Sequence, residues 1–527
     1  MKAGVYNRWL HQKGGGERHA AMAAAVLAER FDTELITHRA IARDELAASL
    51  NLDLARVGIR VIPALPPNRF RDFTRQYDLF VNASFMTSQP SAARRSMMLV
   101  LFPSPIGRRW STRLRQAIGR RLGRELLLPE YVDGFYDVQE LGRGWFRYTT
   151  DRATVKVHVP PGRGPAPVEI VAGNFRPAGA LPVACYAGAT LLGRHAFPST
   201  PGNFQAWRLA VPRTLLRDRV VELNLECPTY NPGDGFGQAD NREVGLAVAD
   251  VRSPHFRHTL YAVLFRRMFH ELGLRLEGLP AFTALDYLNT YDVLSPISEY
   301  SRRWMQYYWR RDGPILYPPV DISWARPLPK RNIILGVGRF FRGTHEKKHG
   351  VMIDQFVRMT REGLRDWTLH LAGHQSPRDI DRTYTEALQR KARGHPVVLH
   401  VNAPFDELRR LYGEARIYWH AAGYGEDERR DPVRFEHFGI GVVEAMASGA
   451  VPVVLSKGGL PELVKDGVDG FHWADTSTLR RRTWQLVRDA GLGARMAAAA
   501  RQAGQRFDVP RFRARLHELV DGLGLTA

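Results

Sequence analysis

The sequence predicts an α/β fold with two doubly wound, mostly parallel sheets and an all-β insertion in its N-terminal half. In residues 3–102 and again in residues 332–456, short apolar strands alternate with helical segments, which is typical of βαβ units. Between these regions, from about residue 131 to residue 252, β-rich runs alternate with Pro/Gly turns and the helical period is absent. A chain of 527 residues is also long for one core, so several domains are expected.

The first α/β region begins with a strand at residues 3–6, which GGGE (residues 14–17) and an alanine-rich helix follow. Further strands are predicted at residues 33–37, 57–62, 77–81 and 97–102. In the insertion, runs such as ATVKVHV, LPVACYAG and RVVELNLEC are rich in strand-forming residues, which predicts a sandwich-like β domain. Residues 255–274 are then strongly helical.

The second α/β region contains the strands IILGV, TLHLAG, PVVLHV, ARIYWH and PVVLS, and a helix, PRFRARLHELVDGL, closes the chain. We therefore expect an N-terminal α/β domain at residues 1–128 and 255–295, the later segment including a connector. The inserted β domain is expected at residues 129–254 and the C-terminal α/β domain at residues 296–505. The helix at residues 506–527 is expected to pack back toward the N-terminal domain.

Composition limits the functional class. The two cysteines, Cys185 and Cys227, cannot form a disulfide framework or a CxxC metal site. The sequence has no run of about eighteen apolar residues and no signal-like start, so we expect a cytoplasmic protein. The net charge of +21 favours nucleic acid, phosphorylated substrates or an anionic membrane face as partners, unless it only reflects arginines on a solvated surface.

A basic segment carries seven arginines between Arg108 and Arg124, with apolar residues between them. Such a helix can lie on an anionic bilayer, although a solvated helical face explains the pattern equally. The histidines near the candidate loops lack metal-ligand spacing such as HExxH. They are His345, His349, His374, His420 and His437. We therefore assign no metal.

Ligands of open α/β sheets bind beyond the carboxyl ends of the strands, where two loops are rich in glycine or cations. GGGE opens a helix whose free N–H groups can meet a phosphate, or it is only a tight turn. GVGRFFRGTHEKKHG follows the first strand of the second region and contains Arg339, Lys347 and Lys348. Two of these cations could straddle a diphosphate, or the loop is a solvated basic surface.

A third loop, FEHFGIGVVEAMASGAVPVV, contains Glu436 before a predicted helix and Glu444 within it. Carboxylates there suit hydroxyl groups better than phosphates, so one could hold a sugar and the other a ribose. The alternative is that Glu444 interacts with the helix dipole and Glu436 is a surface charge.

Together these motifs resemble the retaining glycosyltransferases of family four, which have the GT-B fold. The resemblance rests on E-x7-E (Glu436 and Glu444), GGLPELVKDGVDGF, VGRFF…EKKHG, the early GGGE and YDVLSPISEYS. It covers both α/β regions, about three quarters of the chain. EHFGIG is similar to the branch that contains lipid-linked oligosaccharide mannosyltransferases and bacterial relatives. The resemblance implies two Rossmann-like domains that face a cleft, the N-terminal one on the acceptor side and the C-terminal one binding a nucleotide sugar.

The resemblance also implies roles for individual residues. Glu436, Arg339 and Lys347 form the catalytic set: the two cations bind the donor diphosphate and Glu436 contacts the donor sugar. Glu444 holds the ribose. The remaining donor-binding positions offer backbone amides or a close backbone approach. They are Phe438, Gly439, Ile440 and, across the cleft, Gly15 and Gly16. Many relatives carry a histidine where this chain has Leu101 and Phe102, so no catalytic histidine is transferred.

The function implied is transfer of a hexosyl unit, mannose favoured, from GDP- or UDP-hexose to a glycan or glycolipid acceptor. No cofactor and no metal are expected, and no nucleic acid partner. Peripheral contact with the inner face of the cytoplasmic membrane fits the basic segment. Two alternatives stay open: a basic glycan- or nucleic-acid-binding scaffold without activity, and another GT-B enzyme such as a sugar epimerase or a phosphorylase.

Overall fold

The computed structural model describes residues 1–105, 121–123, 125–136, 138–141, 144–232, 242–266, 285–343, 346–375 and 379–525. The chain divides into two units. The first unit comprises Met1–Met98 and Ser104–Asp292, and the second comprises Leu99–Pro103 and Val293–Ala527.

The first unit contains a parallel sheet of the order β5-β4-β1-β2-β3. Its strands are β1 (Lys2–Tyr6), β2 (Asp32–Thr37), β3 (Val57–Val61), β4 (Leu79–Asn82) and β5 (Arg95–Val100). Helices α1 (Gly15–Leu27), α2 (Arg43–Leu50) and α3 (Pro67–Thr74) connect the first four strands. The fourth strand begins later than predicted because the Tyr77 N–H donates to the Thr74 carbonyl, which makes Tyr77 part of the turn that ends α3.

An antiparallel sheet follows, as expected for the insertion, with the order β11-β10-β13-β8-β14-β9-β12 and with β6 and β7 paired to β8. The strands are β6 (Glu130–Phe135), β7 (Gln139–Leu141), β8 (Gly144–His158), β9 (Ala166–Gly173), β10 (Leu181–Ala187), β11 (Thr190–Phe197), β12 (Gln205–Val211), β13 (Val220–Glu226) and β14 (Ala247–Arg252). Alternate residues of β10 and β13 are buried, so one face of the sheet packs on a core that includes Val183, Leu223 and Leu225. Burial of each such side chain favours folding by about 1.5–3 kcal/mol.

The predicted helix after the insertion is only partly regular. It starts as α4 (Phe256–Leu260) and continues as a π-helical turn, Tyr261–Phe265; residues 267–274 lie outside the described part. Of the predicted basic helix at residues 108–124, only the turn at 121–123 lies among the described residues. In the described part of the chain, no helix is long and apolar enough to cross a membrane.

The second unit is built on a parallel sheet of the order β18-β17-β16-β19-β20-β21. Its strands are β16 (Arg331–Val337), β17 (Thr368–Gly373), β18 (Val397–Val401), β19 (Ala415–His420), β20 (Val451–Leu455) and β21 (Phe471–Trp473), and β15 (Val293–Pro296) precedes them. Its helices are α5 (Glu299–Trp309), α6 (His349–Arg361), α7 (Asp379–Ala392), α8 (Phe405–Glu414), α9 (Ile440–Ala447), α10 (Leu460–Leu463), α11 (Thr476–Arg488), α12 (Ala490–Gly504) and α13 (Val509–Asp521). The strand order reverses between β16 and β19, and such a switch point is where doubly wound sheets bind ligands.

Candidate functional site

At this switch point, glycines allow the loop that leaves β16 to lie close to the end of β17. A Cβ on Gly338 would lie 2.5 Å from Cγ of Lys347, and a Cβ on Gly373 would overlap the Gly338 carbonyl. Side chains at these two positions would therefore push the β16 loop away from β17. The glycines allow Lys347, which lies just before α6, to reach the end of the sheet.

Glu436 is the centre of the site. The Lys347 ammonium pairs with its Oε2, and the His420 ring lies with Nε2 2.9 Å from the same oxygen. The side chains are largely enclosed, with 16% of Glu436, 24% of Lys347 and 5% of His420 exposed. Burial opposes ionisation of Glu436, but the nearby Lys347 and His420 hold the pKa of its carboxyl well below the usual range. Glu436 is therefore an anion that accepts hydrogen bonds.

His420 ends β19 and fixes the orientation of Glu436. Burial lowers the pKa of His420, against the opposing effect of Glu436, so its imidazole is neutral at pH 7. A neutral ring that bonds to a carboxylate through Nε2 carries its hydrogen there. Among the described residues, the buried Nδ1 has no hydrogen-bond partner, which fits this tautomer. The imidazole thus donates to Glu436 and does not act as a base toward it.

His349, two residues after Lys347, makes the folding stability of the protein depend on pH. Burial and then the Lys347 ammonium lower the pKa of His349 to about 3. The folded protein therefore leaves this ring neutral at pH values where the unfolded chain, with an ordinary histidine pKa of about 6.5, takes up a proton. Stability is thus lost as pH falls below about 6.5.

His349→Gln is expected to flatten the rise of unfolding free energy with pH by up to about 1.4 kcal/mol per pH unit between pH 4 and 6. The measurement is urea unfolding at several pH values. His374→Gln, the same change at an exposed ring, serves as the control and should leave the slope unchanged. An unaltered slope in His349→Gln would contradict the assignment.

Glu444 lies in α9 and is held by a buried tyrosine. The Tyr412 hydroxyl donates to its Oε2 at 2.9 Å, and the neighbouring Tyr418 hydroxyl donates to the Val337 carbonyl at 3.3 Å. A Cβ on Gly441 would lie 2.7 Å from the Tyr418 oxygen, so this glycine makes room for the tyrosine pair. Glu444 is half-buried, and its position is therefore set by α9 and Tyr412 together.

The glycines around Glu436 shape its backbone. Gly439 precedes α9 with φ 115°, a conformation that favours glycine, and the Gly459 N–H donates to the Glu436 carbonyl at 2.8 Å. The Phe438 ring packs on Phe507 and Tyr317, which leaves only the backbone of Phe438 for a ligand. The first turn of α9 begins at Ile440, and no side chain caps this end of the helix.

The other predicted site residues have different surroundings. Arg339 is exposed on the β16 loop, with its guanidinium 5.8 Å from the Phe341 ring centre. Lys348 turns away from Glu436 and pairs with Glu426 at 2.7 Å. Gly15 and Gly16 form the first turn of α1 in the first unit, where the Gly14 N–H donates to Glu17. Lys347 and Glu436 are thus the predicted residues that the structure joins directly.

Sequence reasoning missed the partners of the two glutamates. The sequence-based prediction assigns His420 no role, although its position as the last residue of a strand is a signal for one. Tyr412 and Tyr418 gave no signal. Phe102, where the resemblance leads us to transfer no catalytic histidine, stacks on His437 with ring centres 4.2 Å apart. Among the described residues, no three His, Cys, Asp or Glu side chains are arranged to hold a metal ion.

The family comparison covers the part of the chain that contains this site. Residues 322–503 match the family model for glycosyl transferases group 1. Over these residues the second unit is therefore similar to group 1 glycosyl transferases. The match includes Arg339, Lys347, His420, Glu436 and Glu444.

Curated relatives with sequence similarity are mannosyltransferases. The GDP-Man:Man(3)GlcNAc(2)-PP-Dol alpha-1,2-mannosyltransferase of Xenopus tropicalis is 29% identical over 156 residues, which are 28% of this chain and 29% of that protein. The enzyme of the same name from Dictyostelium discoideum is 25% identical over 217 residues, 38% of this chain and 40% of that protein. The chain therefore spans less than half the length of the curated relatives it matches.

Solved structures with a similar fold extend over nearly the whole chain. Anabaena Alr3699/HepE in complex with UDP has a TM-score of 0.52 at 13% identity and covers 99% of this chain and 100% of its own. A glycosyltransferase from Rickettsia africae has a TM-score of 0.51 at 9% identity and covers 100% and 99%. With its two doubly wound sheets and the inserted antiparallel sheet, the chain has the expected GT-B fold.

Proposed function

We propose that the protein is a retaining glycosyltransferase that moves a hexosyl unit, mannose favoured, from a nucleotide diphosphate sugar to a glycan or lipid-linked glycan. The main support is the buried cluster of Lys347, Glu436 and His420 at the switch point of a group 1 glycosyl transferase domain. A cation next to an ionised, hydroxyl-accepting carboxylate suits a ligand that has both phosphates and sugar hydroxyls.

The proposed roles follow from these positions. Lys347 and the exposed Arg339 bind the donor diphosphate, and Glu436 accepts hydrogen bonds from donor sugar hydroxyls. Glu444, held by Tyr412, accepts from the ribose. The backbone N–H groups at the start of α9 offset charge on the donor. The residues with this backbone role are Phe438, Gly439 and Ile440.

The proposed reaction is a front-face substitution. A new bond forms between the acceptor oxygen and the anomeric carbon while the bond from that carbon to the β-phosphate oxygen breaks, and the departing diphosphate takes the acceptor's proton. Lys347, Arg339 and the helix amides stabilise the leaving group, which makes a metal ion unnecessary in this proposal. Glu436, paired with Lys347 and bonded to His420, stabilises positive charge on the sugar and does not attack it.

Donor binding tests the proposal directly. We expect GDP or UDP, and the corresponding sugar nucleotide, to raise the melting temperature, because a ligand at a hundredfold excess over its Kd adds about 2.7 kcal/mol of stability. The mannosyltransferase relatives favour GDP-mannose, whereas the solved neighbour with UDP favours a UDP-hexose. Lys347→Met should abolish the shift, while Lys348→Met, which loses only its pair with Glu426, should keep it. Absence of any nucleotide-induced shift in the wild type would overturn the proposal.

Product analysis separates the alternatives. An epimerase converts the donor without forming a transferred glycan, and a phosphorylase requires inorganic phosphate. A binding scaffold yields no product, and a nucleic-acid binder loses affinity steeply with salt. The ion pair between Lys347 and Glu436 in an enclosed site favours an enzyme over a scaffold.

We also propose that the protein is cytoplasmic and contacts an anionic membrane face peripherally. An apolar face on the segment that begins with α4 supports this proposal. Exposed fractions are 70% for Phe256, 46% for Leu260, 74% for Val263 and 61% for Leu264. Their spacing puts them on one side of the segment, and the net charge of +21 complements anionic lipid.

Phe256→Ser combined with Val263→Ser is expected to reduce flotation with vesicles of phosphatidylglycerol and phosphatidylcholine by at least about fivefold, since apolar burial contributes to interfacial binding. Val61→Ser combined with Val468→Ser replaces two other side chains, each 48% exposed, and should float as the wild type does. Equal flotation of both double variants, or no preference for anionic vesicles, would refute membrane contact through this face.

A further inference from the structure

An open cavity of ≈740 Å³ lies on the inserted antiparallel sheet, within the first unit. This volume is in the range of pockets that hold a ligand of several ring units. Its charged lining residues are Arg69, Asp151, Arg152, Arg194 and Glu226. None of them belongs to the proposed donor site, which lies in the second unit.

Strand pairing arranges part of this lining in a row. Ala184 of β10 is paired with Arg194 of β11 on one side and with Glu226 of β13 on the other, and Glu226 is paired with Arg152 of β8. Directly paired residues of antiparallel strands project from the same face. The neighbouring residues Val183 and Leu225 are buried on the opposite face. The row therefore lies on the outer face of four adjacent strands.

Small side chains form the floor of the cavity. Pro182 is paired with Ala196, two residues along from the Ala184–Arg194 pair, and so shares its face. Ala184, Pro182 and Ala196 are shorter than the neighbouring Arg194 and Glu226 side chains. They therefore form an apolar surface at the bottom of the cavity. A sugar ring, with C–H groups on its faces and hydroxyls at its edge, suits an apolar floor with polar walls.

The charges of the walls are unequal. Arg152 pairs with Glu226 at 2.6 Å, and Arg69 from α3 lies 3.9 Å from Asp151 while donating to the Arg152 carbonyl at 3.4 Å. Within the part of the chain that the structure describes, the exposed Arg194 has no ion pair. Arg152 and Arg69 thus have carboxylate partners, Arg69 also lying 3.8 Å from Asp133, whereas Arg194 is the cavity-lining guanidinium without one among the described residues.

We propose that this cavity binds an anionic oligosaccharide, a chain of sugar rings that carries carboxylates. Arg194 forms the fork that receives one carboxylate, and the paired Arg152 and Glu226 exchange hydrogen bonds with hydroxyls. Resting on the proposed function, the site holds a part of the acceptor glycan that is distant from the reacting hydroxyl. The inserted domain then acts as an acceptor-binding module.

The test measures binding of α-1,4-linked trigalacturonic acid by isothermal titration calorimetry, with maltotriose as the uncharged trisaccharide. Wild type is expected to prefer the acidic probe. Arg194→Glu should weaken binding of the acidic probe by at least about tenfold, because a charged hydrogen bond is lost. Ala184→Trp fills the floor of the cavity without a change of charge, so it should weaken binding of both probes. Arg163→Glu makes the same charge reversal at an exposed loop position outside the cavity and should change affinity less than about twofold.

The proposal is overturned if wild type binds neither probe, if Ala184→Trp binds as wild type does, or if both arginine variants weaken the acidic probe equally. The last result would assign binding to net charge alone. Titration of GDP and UDP in the same preparation separates the two proposals. Nucleotide binding without saccharide binding refutes the cavity alone, whereas saccharide binding without nucleotide binding refutes the proposed donor site.

Discussion

Glu436→Gln is expected to lower kcat by about 10²- to 10³-fold while the Kd for the nucleotide changes less than about threefold. Glutamine keeps the shape of the side chain and an acceptor oxygen for the His420 N–H at 2.9 Å, but it removes the negative charge. Loss of one preorganised electrostatic contact to a developing charge typically has this effect on rate. Single-turnover kinetics with the donor that produces the largest thermal shift measure it.

Glu444→Gln provides the matched contrast. This carboxylate, which receives the Tyr412 hydroxyl at 2.9 Å, is proposed to hold the ribose, which does not change during the reaction. Its replacement should therefore raise the donor KM and leave kcat near the wild-type value. If both variants retain wild-type kinetics, the catalytic site lies elsewhere, and if their effects are exchanged, the two roles are reversed.

Much of the fold could be predicted because its signals are local. Apolar runs such as IILGV and ARIYWH are buried on both faces of a parallel sheet, and they were recognisable as strands from composition and length. The boundaries were less accurate where a local hydrogen bond competes with the strand, as at Tyr77. The π-helical turn after α4 had no signal, since a helical period does not reveal an inserted residue.

The candidate site was predictable only in part, because its side chains come from distant positions. Lys347 and Glu436 were chosen by resemblance, and the structure joins them. Lys348 is adjacent in sequence, but its φ of 57° and its place before α6 direct it to Glu426 instead. His420 contacts Glu436 because β19 ends next to the loop that carries it. Such neighbourhoods depend on strand order, which no local pattern encodes.

Lys347→Met is expected to lower the free energy of unfolding at pH 7 by about 3 kcal/mol, since breaking a largely buried pair leaves an uncompensated charge. The remaining charge is that of Glu436, of which only 16% is exposed. Urea unfolding of the unliganded protein measures the change. Lys391→Met is the control: its pair with Asp354 is exposed, with 40% and 53% of the side chains accessible, and such pairs contribute at most about 1 kcal/mol.

The double variant Lys347→Met/Glu436→Gln distinguishes an unpaired charge from lost packing. If the cost of Lys347→Met is the buried carboxylate, neutralising that carboxylate should restore most of the stability. The loss of stability caused by Lys347→Met should also become smaller as the pH is lowered. In the wild type, Lys347 holds the pKa of Glu436 down, so ionisation of the carboxyl stabilises the fold above about pH 4.5 and that contribution is lost below it. Without Lys347, burial raises the pKa of Glu436, and protonation at low pH relieves the penalty. A Lys347→Met penalty that is the same at pH 7.5 and pH 5, or that persists in the double variant, would show that the lysine stabilises the site through packing of its stem.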